Sequence, residues 1–247
     1  MVRESESVSP ASVVPWPERR PYPAIGLARL RSLAVLFKLR VVVLLMMAAM
    51  GGAVIGAAGP PAGSALLVLT VTGTLAAAGA SAINQYLERQ RDKLMVRTRH
   101  RPLPSGQIAH PIWVLFVGQG MILLAVALAL LWGNRPLALF LALGAAIYVG
   151  VYTLWLKPRT ALNIVIGGSA GSCAVLSGGA AVGQWAAPGV LALALLVFLW
   201  TPVHFWSLAM AYRRDYAGAG FPMLPTRCSP RQAAGWIALH TLATGLV

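Results

Sequence analysis

ALLVLTVTGTLAAAGASAINQYLERQRD, residues 65–92, carries both the architecture and the chemistry of this chain. Over residues 65–87 it is apolar, and about 20 such residues suffice to cross a bilayer as a helix. Where that run ends, Asn84, Glu88 and Asp92 recur at four-residue spacing, which puts all three on one helical face. Working outward, comparable apolar runs occupy residues 41–58, 112–132, 136–156, 162–182 and 189–211. A seventh begins near residue 232 and is incomplete at Val247. With 58% hydrophobic and 11% charged residues, and a mean hydropathy of +0.72, the chain reads as all-α, a polytopic transmembrane helical bundle. Residues 1–32 read as a disordered cytoplasmic tail, rich in Pro, Ser and charge. Residues 33–247 read as one membrane domain.

The net charge of +14 does not point to nucleic acid, because it alternates from loop to loop. Every lysine and arginine except Arg135 falls in the tail, at the entry to span one or in the loops after spans two, four and six. That asymmetry predicts a cytoplasmic N-terminus in a multi-pass protein of the bacterial plasma membrane. Cys173 and Cys228 have neither a disulfide context nor zinc spacing.

Beyond Arg19 the only acidic residues are Glu88, Asp92 and Asp215, each at the end of an apolar run and flanked by basic residues. All three fall on the same side of the expected bundle. With no helix breaker from Ser81 to Arg101, span two is expected to continue as a helix into the cytoplasm. Asn84, Glu88 and Asp92 then cover roughly 12 Å of rise. One amide oxygen and two carboxylates suit Mg²⁺, which keeps several waters and bridges to phosphates. Arg97 and Arg101 follow on the next turns, where they can grip the same phosphates. The plainer alternative is a solvated juxtamembrane helix with Glu–Arg pairs, but Asn84 has no pairing role in it. After span six, Asp215 follows Tyr212, Arg213 and Arg214, either as a surface ion pair or as the donor for a second metal. Lys157, with Arg159 and Asn163 nearby, is explained by topology or by a phosphate clamp. His204, at membrane depth beside Pro202, is a functional candidate or a histidine bonded to a backbone carbonyl.

Three segments in order carry a family resemblance. Residues 84–106 (NQYLERQRDKLMVRTRHRPLPSG) resemble the first polyprenyl-diphosphate motif of protohaem IX farnesyltransferases, the haem O synthases of the UbiA-type intramembrane prenyltransferases. Residues 152–168 (YTLWLKPRTALNIVIGG) resemble the family's segment joining spans four and five. Residues 200–225 (WTPVHFWSLAMAYRRDYAGAGFPMLP) are similar to its sixth span and second aspartate motif, and Phe37-Lys38-Leu39-Arg40 to its lead-in to span one. Glu88 stands where the family has Asp, and residues 171–179 lack the paired prolines expected there. The family folds as nine helices, so the resemblance implies a prenyltransferase domain over 33–247 that is cut short at its C-terminal end.

The resemblance implies transfer of farnesyl from farnesyl diphosphate to a vinyl group of haem b, giving haem O. Asn84, Glu88, Asp92 and Asp215 would hold Mg²⁺, and Arg97, Arg101, Lys157 and Arg214 would contact the diphosphate. Tyr152, Asn163, His204 and Tyr212 would face the acceptor, with haem b a substrate and not a cofactor. Membrane lipid and a haem A synthase are the implied companions. Three other readings remain open: a prenyltransferase for a quinone precursor or chlorophyllide-like ring, an inactive truncated paralogue, and a transporter. A transporter would place its acids near the membrane midplane in broken helices.

Overall fold

The structure is a computed structural model that describes residues 25–247. The expected tail therefore lies outside the described residues as far as residue 24. From Ile25 the chain is helical, which corrects the last part of that expectation. The segment Ile25–Leu36 is built mainly of Leu, Ala and Arg and contains no proline, so its helix propensity is high. We call it the leading helix.

Six helices are long and apolar enough to cross a membrane: Leu39–Ala57, Gly63–Asp92, Ile112–Leu131, Arg135–Leu156, Asn163–Ala181 and Pro188–Ala211, spans one to six. Their ends agree closely with the boundaries read from hydropathy, and the chain is a multi-pass membrane protein. A closing helix, Pro230–Gly245, packs against span six. Its 16 residues occupy the place of the expected incomplete seventh span, and the six helices above are the ones that reach the length of a crossing. Its start is fixed by a capping box, in which Ser229 Oγ accepts from the Gln232 backbone and the Gln232 side chain accepts from the Ser229 backbone.

Span two is the centre of the bundle. Half of its apolar window is buried, against 22% for span six. The difference follows from small residues, which let helix backbones approach where no water drives association. A Cβ added at Gly79 would lie 2.6 Å from the Gly118 carbonyl oxygen, so spans two and three meet at glycine. Spans one and five meet in the same way, Gly178 lying against the Ala49 carbonyl and Gly52 against that of Val175. The outer faces carry exposed Val43, Leu44, Phe116, Leu123, Leu139 and Leu191, as lipid contact requires.

Two irregularities position the chemistry. The second half of span four, Ile147–Leu156, winds as a π-helix. Span two does not continue to Arg101: it stops at Asp92, and residues 93–106 form turns. This corrects the expected long helix. The Thr98 hydroxyl donates to the Asp92 carbonyl (3.1 Å), and burial of Met95, Thr98 and Leu103 rewards a chain that doubles back.

Substituting Gly178→Leu should drive a side chain into the span-one backbone and destabilise the protein by roughly 1–3 kcal/mol or more. Thermal unfolding in detergent should show a clearly lowered midpoint, and an unchanged midpoint would contradict the helix contact.

Candidate functional site: a polar face closed by three cations

Spans alternate in direction, so the start of span one and the ends of spans two, four and six lie at one end of the bundle. The buried polar face of span two lies there. Asn84, Glu88 and Asp92 are 1%, 7% and 2% exposed, and each is met by one cation. Lys38 Nζ donates to Asn84 Oδ1 at 2.5 Å. Lys157 Nζ forms an ion pair with Glu88 Oε1. Arg101 Nη1 pairs with Asp92 Oδ2 at 2.8 Å. Four-residue steps along a helix separate these donors by about 6 Å each, so they form a row and not a single chelating cage. Among the described residues, no three His, Cys, Asp or Glu side chains gather as a metal site on their own.

The π winding of span four supplies the facing wall. Its wider turn, with i→i+5 hydrogen bonds such as Lys157 N–H to the Tyr152 carbonyl (2.8 Å), brings Tyr148, Tyr152 and Lys157 towards span two. The Tyr148 and Tyr152 rings stack at 5.8 Å and 13°. Gly167, where span five is irregular, leaves room for Tyr152: a Cβ there would sit 2.6 Å from its ring. Thr153 Oγ1 accepts from Asn84 Nδ2 (2.9 Å) and donates to the Tyr148 carbonyl (2.7 Å), which fixes the Asn84 amide with its oxygen towards Lys38.

The second acidic segment joins through the turns after span two. Arg97 N–H donates to Asp215 Oδ2 (3.3 Å), and Arg97 Nη2 to the Tyr216 hydroxyl (3.3 Å). Met95, Tyr216, Phe221 and Met223 share one buried cluster with Tyr152. Phe221 lies under both Arg91 (5.0 Å) and Lys157 (4.7 Å). A recess of about 290 Å³ opens beside Glu88, between Arg91, Thr153, Pro158 and Phe221.

Burial pushes the Lys38 ammonium down to about 7, although the Glu88 charge opposes the shift. Burial acts on Lys157 in the same direction, but there the adjacent Glu88 carboxylate outweighs it and raises the ammonium above its usual range.

The structure thus brings Asn84, Glu88, Asp92, Arg101, Lys157 and Tyr152 to one wall, with Arg97 and Asp215 beside it. Other candidates lie apart. Arg214 is exposed. Tyr212 is 41% exposed, with the Arg97 guanidinium 5.8 Å from its ring centre. Asn163 is fully buried, donates to the Thr160 carbonyl (2.5 Å), and leaves Oδ1 without a partner. His204 is exposed on span six and stacks on Trp200 at 4.9 Å. Tyr148 and Thr153 escaped the sequence reading, and Lys38 entered it only within the Phe37-Lys38-Leu39-Arg40 resemblance, with no role in the site. A lysine opening an apolar run was a further signal for it, while the π winding has none.

The donors suit a hard divalent cation: all are oxygens, two are carboxylates, and their buried counter-charges are mobile side chains rather than backbone. With so few protein ligands, oxygens of a bound ligand or water would have to complete the coordination.

Comparison with known proteins identifies the family of the chain. The UbiA prenyltransferase family matches residues 44–247. Protoheme IX farnesyltransferase 2 of Paramagnetospirillum magneticum is 46% identical over 87% of this chain and 75% of its own length. The protoheme IX farnesyltransferase of Metallosphaera sedula is 44% identical over 71% of this chain and 61% of its own length. A UbiA homologue of Archaeoglobus fulgidus, solved with DMAPP and Mg²⁺, shares the fold, with a TM-score of 0.70 over 86% of this chain and 75% of that one at 17% identity.

Lys157→Met should leave Glu88 buried and unpaired, lowering stability by roughly 3–5 kcal/mol. Adding Glu88→Gln should recover most of that loss, as unfolding of all four members of the cycle would show. Strictly additive losses would contradict the pairing. The family match over residues 44–247 and these relatives make the chain a member of the UbiA prenyltransferase family.

Proposed function

We propose that this chain is a Mg²⁺-dependent farnesyltransferase that acts on haem b and yields haem O. The observation that carries the reading is the row Asn84, Glu88 and Asp92 faced by Lys38, Lys157 and Arg101. It occurs in a chain 44–46% identical to proteins named protoheme IX farnesyltransferases. Such a row suits a diphosphate ester whose apolar tail lies between helices.

Asn84, Glu88, Asp92 and Asp215 would hold Mg²⁺, which when bound neutralises the leaving diphosphate as a Lewis acid. Lys157, Arg101, Arg97 and Arg214 would donate hydrogen bonds to its oxygens. The C1–O bond of the farnesyl ester breaks and its electron pair leaves with the diphosphate. The allylic C1 then bonds to the terminal vinyl carbon of the porphyrin. The adjacent carbon takes a hydroxyl from water, which releases a proton. The stacked Tyr148–Tyr152 wall would keep water from the allylic carbon until that bond has formed.

For the acceptor, Tyr152, Asn163, Tyr212 and His204 are the proposed contacts. The flat His204–Trp200 stack offers a face of the right chemistry for a porphyrin edge. The charge asymmetry of the loops supports a bacterial plasma-membrane location with a cytoplasmic N-terminus. A haem A synthase would then consume the product.

Purified protein given haem b, farnesyl diphosphate and Mg²⁺ should produce haem O, detected as a mass increase of one farnesyl group plus one hydroxyl. Chelating the metal should stop the reaction. Asp92→Ala should lower turnover per molecule of folded protein by about a hundredfold or more. Undiminished turnover in that variant would contradict the reading, as would transfer to a quinone precursor and not to haem.

A further inference from the structure

We propose that the leading helix lies in the headgroup layer of the membrane and recognises anionic phospholipid, on a surface separate from the polar face of span two. This role is independent of what the chain transfers.

At 12 residues the helix is about 18 Å long, too short to cross a bilayer. It does not prolong span one either. Phe37 and Lys38 form a turn between the two, with Lys38 at φ 50° and ψ 47°. A left-handed residue cannot continue a right-handed helix, so the chain changes direction there. One side of the leading helix is fastened to the bundle. Ser32 Oγ donates to Gln107 Oε1 (3.0 Å), and Leu36 is buried with Leu103 and Val114. The carbonyls of Val35 and Leu36 accept from Gln85 Nε2 at 2.6 and 2.7 Å. Leu103 and Gln107 belong to the connection between spans two and three, and Val114 to the first turn of span three. These contacts hold the helix where polar connections give way to apolar spans, at headgroup depth.

The opposite side carries Leu27, Leu30 and Leu33, which are 64%, 65% and 48% exposed. Three-residue spacing puts them along one stripe. The helical period sets Arg29 at one edge of that stripe and Arg31 at the other, both exposed. An apolar stripe with a guanidinium on each edge suits a helix lying in the interface. The leucines enter the acyl boundary and the arginines reach back to the phosphates. Charge then selects the lipid. The acidic side chains among the described residues are Glu88, Asp92 and Asp215. Glu88 and Asp92 pair with Lys157 and Arg101, and Asp215 accepts from the Arg97 backbone. Arg29 and Arg31 therefore have no anionic partner among the described residues. Headgroups of net negative charge supply one, and each arginine near such a surface strengthens docking about fivefold.

The test uses the full chain in lipid nanodiscs, with a nitroxide on Leu30→Cys in a Cys173→Ala, Cys228→Ser background. Power saturation compares collision with oxygen, which concentrates among acyl chains, and with a nickel chelate, which stays in water. In phosphatidylcholine mixed with phosphatidylglycerol the label should meet oxygen more than nickel. Its nickel collision rate should be about fivefold or more below that in phosphatidylcholine alone. Arg29→Gln combined with Arg31→Gln should remove the difference between the lipids at an unchanged unfolding midpoint, and high salt should do the same. Three outcomes overturn the proposal. Ready nickel access in both lipids means that the helix stands in water. Protection from both reagents in both lipids means that residues 1–24, or a second copy of the chain, cover the leucines. Oxygen access that ignores lipid charge means an apolar anchor without headgroup recognition.

Discussion

The pairing of Lys157 with Glu88 ties span four to span two inside an apolar bundle, and most of the site depends on it. A carboxylate 7% exposed cannot stay charged there without a partner, and neither can the ammonium. The pair therefore fixes the register between the two helices. Once span four is set against span two, Thr153 meets Asn84 and Tyr148 comes within reach of Lys38. The π winding makes this possible by bringing residues 148, 152 and 157 towards one side, which a regular α-helix would rotate apart.

The same pairing shapes the chemistry. Cations that hold the oxygen donors are side chains on flexible stems, so they can exchange a carboxylate for a phosphate without a backbone shift. The surrounding apolar helices keep the local dielectric low, which strengthens each such contact relative to water. Residues 93–101 act as the bridge to the second acidic segment. Their turns place Arg97 on Asp215 and Tyr216 while Arg101 returns to Asp92. A helix continuing straight past Asp92 would have carried both arginines away from the membrane surface. Glu88, one methylene longer than aspartate, reaches Lys157 from its place on span two.

The spans were legible because a bilayer imposes a length and a polarity, and six runs satisfied both to within a few residues. The row of Asn84, Glu88 and Asp92 was legible from its four-residue period. The break at Asp92 was not, because no proline or glycine marks it: the helix ends for tertiary reasons, chiefly the burial of Met95 and Thr98. The contacts of Lys38 with Asn84 and Tyr148 were hidden for a related reason. The two partners lie 46 and 110 residues away from Lys38, and local pattern carries no information about such contacts. For His204 the sequence left a functional role and a carbonyl-bonded histidine open, and the stack on Trp200 at an exposed position could not be read from the pattern of the span.

The central claim is that metal and diphosphate meet on the polar face of span two. Electron–nuclear double resonance on protein loaded with Mn²⁺ in place of Mg²⁺ and a non-hydrolysable farnesyl diphosphate analogue tests it most directly. The account predicts strong coupling of the manganese spin to ³¹P, lost in Asp92→Ala. Manganese bound without phosphorus coupling, or coupling that survives that substitution, would contradict it.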